Sequence, residues 1–122
     1  MNKLEFITIP PMNHKLVICR ADKPMELYKL IKKNKKILTW LKKKKLGRFE
    51  LDGGEDAITL NNEATGSPCL AAFFKKMPDI DVIHETNHLV FDLAKYYGFE
   101  DEPEFNAYLQ TWLYNEIIKK LK

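Results

Sequence analysis

The stretch PDIDVIHETNHLVFDLAKYYG, residues 78–98, decides how this chain is read. Pro78 and Asp79 open it like a helix, with Asp79 as N-cap or first-turn acid, and Gly98 stands where a C-cap glycine belongs. Stepping by 100° per residue from His84 gathers Val82, Ile83, Leu89, Val90, Leu93, Ala94, Tyr96 and Tyr97 into an apolar arc. Asp81, Glu85 and Asp92 then fall on the wet side, and His84 and His88 on the boundary, where a cleft wall would lie. A second helix is predicted from Asp101-Glu102-Pro103 to near the C-terminus. It is largely apolar, with one polar stripe of Glu104, Tyr108, Thr111 and Asn115. Polar groups on an otherwise buried helix require partners.

Upstream the periodicity shortens. Leu4–Ile9 and Lys15–Arg20 read as strands on either side of a proline-containing turn, and Asp56–Asn61 and Cys69–Phe74 as two more. Between the pairs, Lys23-Pro24 opens a helix reaching about Asn34, with Ile37–Lys45 continuing it or forming another. The order predicts an α+β domain: a small, mainly antiparallel sheet packed with helices, and a C-terminal helix pair. No repeat or low-complexity linker divides the 122 residues, so a single domain spanning 1–122 is expected.

Composition narrows the class. With 45% hydrophobic and 30% charged residues the chain is too apolar for disorder. No run approaches the roughly 18–20 apolar residues of a membrane span, and residues 1–6 lack the apolar core of a secretory signal. Cys19 and Cys69 are too few for a disulfide framework or a cysteine zinc site and are expected in the core. A soluble, intracellular, cytoplasmic protein is expected.

The net charge of +3 conceals an asymmetry. Lys23 to Arg48 carries ten lysines and one arginine against Glu26 alone, whereas Pro78 to Glu116 carries nine acids against Lys95. The basic segment reads as the solvated face of a helix, because Leu27, Leu30, Ile31, Ile37, Leu38 and Leu41 interleave with the lysines. Its alternative is a footprint for nucleic acid or an anionic partner protein.

Residues 84–88 form an H-E-x-x-H run. On a helix, residues four apart share a face, so His84 and His88 can converge on one ion, with Glu85 turned by about 100° toward a water in an open coordination position. A metal ion lowers that water's pKa and the carboxylate takes its proton during attack on a carbonyl. A catalytic zinc needs a third protein ligand. Glu104 is the candidate, if the chain reversal at Gly98 to Pro103 returns the second helix across the first. The competing readings are plain: His84 and His88 as surface histidines, Glu104 as part of an acidic capping box, and Tyr108 as half-buried packing. His14 is expected to be solvated, and Trp40 and Trp112 to anchor the core.

From about Cys69 to Leu113 the chain resembles the compact gluzincin metallopeptidases, the minigluzincins, and especially the short HExxH chains encoded by bacteriophages. The matching residues are His84-Glu85-x-x-His88, then Glu104-x-x-Ala107-Tyr108-Leu109, preceded by an edge strand such as Leu70 to Phe74. Asn87 departs from the small residue many relatives carry there. The resemblance implies a zinc-dependent peptidase, with Zn2+ on His84, His88 and Glu104 and Glu85 as general base; Tyr108, one turn after Glu104, is the candidate transition-state donor. The resemblance further implies that an extended peptide or protein substrate adds to the edge strand, and that the site of action is host cytoplasm if the chain is phage-encoded.

Overall fold

The computed structural model describes residues 2–47 and 50–122. Its elements are β1 (Lys3–Ile9), β2 (His14–Ala21), α1 (Glu26–Lys33), α2 (Lys35–Lys42), β3 (Ala57–Asn61), β4 (Pro68–Phe74), α3 (Asp79–Tyr97) and α4 (Pro103–Leu121). Arg48, which ends the basic segment, lies outside the described residues. The fold is α+β, with one four-stranded sheet in the order β1-β2-β4-β3. β1 pairs antiparallel with β2 and β3 antiparallel with β4, while the central pair, β2 and β4, is parallel.

Alternation within the central strands explains why helices cover both faces of the sheet. Leu16, Ile18, Ala71 and Phe73 join a core with Val82, Leu89, Leu93, Leu109, Leu113 and Ile117 of α3 and α4. The intervening Val17, Cys19, Leu70, Ala72 and Phe74 join a second core with Leu27, Ile37 and Leu41 of α1 and α2. Every residue of β4 is buried, which is the signature of a strand covered on both sides. The Leu70–Phe74 run is therefore interior, and the edge on this side of the sheet is β3, whose residues are all half-buried. An unbroken apolar run marks a strand with two dry faces, so the expected edge strand is displaced by one position in the sheet.

Asn34 separates the two basic helices. Its extended backbone ends α1, and its side-chain Oδ1 accepts from the Ile37 N–H to cap α2. Lys29, Lys32, Lys33, Lys35, Lys36, Lys42 and Lys43 are exposed, so the lysines do form a solvated face over an apolar one. Gly98 caps α3 in the left-handed conformation at φ 81°, as its position predicts. No helix is long and apolar enough to cross a membrane among the described residues.

His14 corrects its expectation. Rather than being solvated, it is half-buried at the start of β2. Its Nε2 lies 2.7 Å from the Pro68 carbonyl and its Nδ1 2.8 Å from the Tyr97 hydroxyl. A carbonyl only accepts, so Nε2 carries the proton and, in the neutral ring, Nδ1 accepts from Tyr97. The ring thus ties β2 to β4 and to the last turn of α3. Burial holds its pKa below the ordinary 6.5, against the raising effect of the Pro68 hydrogen bond and aided by nearby Lys44. A depressed value means the folded chain binds fewer protons than the unfolded one as pH falls below 6.5, so stability is lost on acidification through that window. Urea midpoints are expected to fall between about pH 7 and pH 5.5, and His14→Gln to flatten that slope while costing about 1–2 kcal/mol at neutral pH. An unchanged slope would show that His14 does not govern it.

Candidate functional site

The rotation of α3 about its axis is set by the core arc. Val82, Thr86, Leu89 and Leu93 are completely buried, and Thr86 satisfies its hydroxyl by donating to the carbonyls of Val82 and Ile83 within the helix. That orientation turns His84 and His88 outward, where both are exposed. They stand near the middle of the wet face rather than at its boundary. Ile83, Tyr96 and Tyr97, expected in the dry arc, are 46%, 45% and 40% exposed. Glu85, expected wet, is only 9% exposed. The dry side reaches past its expected edge to take in Glu85, where α3 packs on β3 and β4 as well as on α4, while Ile83, Tyr96 and Tyr97 share the arc but stand toward the ends of the helix.

The two imidazoles meet. Nε2 of His84 and Nε2 of His88 are 3.0 Å apart, with the rings at 79°. Two nitrogens bound at 2.0–2.1 Å to one tetrahedral ion would be separated by about 3.3 Å. The pair therefore presents both ring nitrogens near the spacing of a two-histidine chelate. Beside it, burial raises the Glu85 pKa above the usual carboxylate range, opposed by His88 and His84 and reinforced by Asp81. A carboxyl group poised in this way suits a general base.

The residues expected from α4 lie elsewhere. The two helices run antiparallel: Lys122 pairs with Asp79 at 3.1 Å, Gln110 reaches the Ile83 carbonyl at 3.5 Å, and Asn106 reaches the Phe99 carbonyl at 3.3 Å. Glu104 therefore stands alongside the end of α3, roughly two to three turns beyond His88. The chain does reverse after Gly98, but tightly. The Phe99 N–H bonds the Ala94 carbonyl at 3.0 Å and the Glu102 N–H bonds the Phe99 carbonyl at 3.2 Å, so α4 starts beside the last turn of α3 and not across its middle. Among the described residues, no three His, Cys, Asp or Glu side chains are grouped to hold one ion. The polar stripe of Glu104, Tyr108, Thr111 and Asn115 faces solvent, which supplies the partners it was expected to find in a metal centre. Tyr108 is 59% exposed.

Two other features escaped the sequence reading. Asn87 and Phe91 flank the histidines on the outward face, and Phe91 is 63% exposed, a large aromatic left in water beside the pair. Its position seven residues after His84 was the available signal. Asp92 accepts a 2.8 Å hydrogen bond from Asn61, pinning the inner flank of α3 to edge strand β3. The two thiols are core groups as expected: Cys19 is pushed up to about 12 and Cys69 is also raised, both by burial, which leaves neither reactive.

The class defined by this architecture is an α+β domain with a mixed sheet held between two helix pairs and a histidine pair on the solvent face of α3. No protein-family model, curated protein or solved structure matches the chain.

No hydrogen bond among the described residues reaches the desolvated Glu85 carboxylate. Glu85→Gln is therefore expected to leave thermal stability unchanged or slightly raised in chelator-treated protein. A loss of about 2 kcal/mol or more would assign Glu85 to holding the fold.

Proposed function

We propose that this chain is a zinc-dependent peptidase in which His84 and His88 hold the ion through their Nε2 atoms and Glu85 acts as general base. The observation that supports it is the 3.0 Å separation of the two Nε2 atoms with a buried carboxyl one residue along the helix. Zinc, when bound, supplies Lewis acidity that polarises a peptide carbonyl and acidifies water. Glu85 takes the proton of the attacking water and returns it to the leaving amine, and burial, by raising its pKa above the usual carboxylate range, makes it a better proton acceptor. Edge strand β3, joined to α3 through Asn61 and Asp92, is the strand on which an extended substrate aligns in this reading, beyond the Asn62 end that Leu46 already bridges. Glu104 is the third ligand assigned by the gluzincin resemblance, and Tyr108 is the candidate donor; both are exposed on α4.

Metal content by mass spectrometry tests this directly. About one zinc per chain is expected, lost in His88→Ala and kept in Glu85→Gln, with Glu104→Ala reporting whether that carboxylate joins the pair on loading. Glu85→Gln should lower peptide hydrolysis by about a hundredfold or more. Stoichiometric zinc in His88→Ala, or full activity in Glu85→Gln, would overturn the assignment.

A second reading draws on the basic layer. None of the described ion pairs uses a lysine from Lys23 to Lys45, so α1 and α2 present uncompensated charge suited to nucleic acid or an acidic partner. If that surface is the working one, binding to a short RNA or DNA duplex should weaken steeply between about 50 and 200 mM salt, and replacing Lys32, Lys33, Lys35 and Lys36 by Gln should remove it. Binding insensitive to salt and to those substitutions would exclude it.

A further inference from the structure

The outward face of α3 continues sideways into a depression between α3 and α4 with a volume of about 590 Å³, within the size range of ligand sites. Asn87 and Phe91 border both the histidine pair and this depression, so the two surfaces are continuous. Its walls are apolar: Val90, Phe91 and Ala94 from α3, and Ala107 from α4. At one end stand the carboxylates of Glu100 and Asp101, from the turn that joins the helices. No lysine, arginine or histidine is among the lining residues.

Of the three amides that also border it, Asn87 carries both a donor and an acceptor, whereas Asn106 and Gln110 are oriented as acceptors. Asn106 spends its Nδ2 on the Phe99 carbonyl at 3.3 Å, and Gln110 directs its Nε2 at the Ile83 carbonyl at 3.5 Å. Those contacts orient both amides, because a carbonyl accepts only from the nitrogen side. Asn106 Oδ1 and Gln110 Oε1 are consequently buried without a hydrogen-bond partner. Orphaned buried acceptors are costly, and here two of them belong to side chains that border one cavity, together with two carboxylates that no described ion pair engages.

We propose that this cavity binds the cationic side chain of a lysine or arginine within a peptide. The aliphatic stem lies against Val90, Phe91, Ala94 and Ala107, an arrangement that suits long charged side chains. The head group sits between Glu100 and Asp101, with the amide oxygens of Asn106 and Gln110 as further acceptors once these half-buried side chains turn toward it. Continuity with His84 and His88 places that basic residue next to the bond presented to the histidine pair. This last step rests on the peptidase reading, whereas binding of the side chain does not.

The test uses the full isotope-labelled chain in chelator, titrated with acetyl-Ala-Lys-Ala-amide and with its norleucine counterpart, which keeps the stem and removes the charge. Amide shifts are expected at Asn87, Val90 and Ala107, with the lysine peptide binding about tenfold more tightly. The double substitution Glu100→Gln with Asp101→Asn should erase that preference, and Ala107→Trp should block both peptides by filling the cavity. Equal affinity for the two peptides overturns the proposal, as does a preference that survives the double substitution. Should the double variant lose helix content by circular dichroism, Ala107→Trp decides: binding that persists in it overturns the site. Zinc is titrated separately and read at the imidazole resonances of His84 and His88. A lysine peptide that binds a chain whose imidazoles ignore zinc would sink the peptidase reading and leave the cavity assignment standing.

Discussion

The fold depends on burying both faces of two neighbouring strands. β2 and β4 alternate large apolar groups to either side, and neither face can be left in water. Burying one such side chain contributes about 1.5–3 kcal/mol, so exposing either face would forfeit several of these at once. The sheet must therefore be covered twice: by α1 and α2 on the side of Val17, Cys19, Leu70, Ala72 and Phe74, and by α3 and α4 on the side of Ile18 and Phe73. Arg20 adds a polar tie between the layers, donating from its guanidinium to the Leu121 carbonyl at the end of α4 at 3.2 Å.

That demand sets the geometry of the candidate site. With Val82, Thr86, Leu89 and Leu93 committed to the sheet, the residues about half a turn away, His84 and His88, point into solvent. Glu85 is held on the flank, deep enough to lose much of its hydration but still beside the imidazoles. The outcome is a pair of ring nitrogens at the surface with a desolvated carboxyl group next to them. α4, anchored by Leu109, Leu113 and Ile117, is pulled against α3 and the sheet. Its first turn follows the short connection from Gly98 and lies beside the last turn of α3, not over the histidines.

The same layering separates charge. The lysines of α1 and α2 lie on one side of the sheet, and the acids of α3, α4 and their connection lie on the other. A distribution of this kind directs cations to one face of the molecule and anions to the opposite face, over distances limited by salt screening. The acceptor-lined depression between α3 and α4 sits on the negative side, and the uncompensated lysines on the positive side. Two surfaces of opposite preference on one small domain require no conformational change to act independently.

Much of this was written in local patterns. The strand and helix positions, the Gly98 cap, the amphipathic basic helices and the buried thiols follow from residue periodicity and turn chemistry, because those depend on neighbours within a few positions. The His84–His88 pairing was legible for the same reason, since it is closed within one helix. What local pattern could not supply was the partner of each face. The parallel pairing of β2 with β4, the interior position of the Leu70–Phe74 run and the burial of His14 between Pro68 and Tyr97 all join residues distant in the chain. The solvent exposure of the Glu104 stripe also depends on how two helices meet. A helix wheel records which residues share a side. Only packing against the sheet and the second helix decides which side is dry, because burial is a property of the assembled layers and not of any one element.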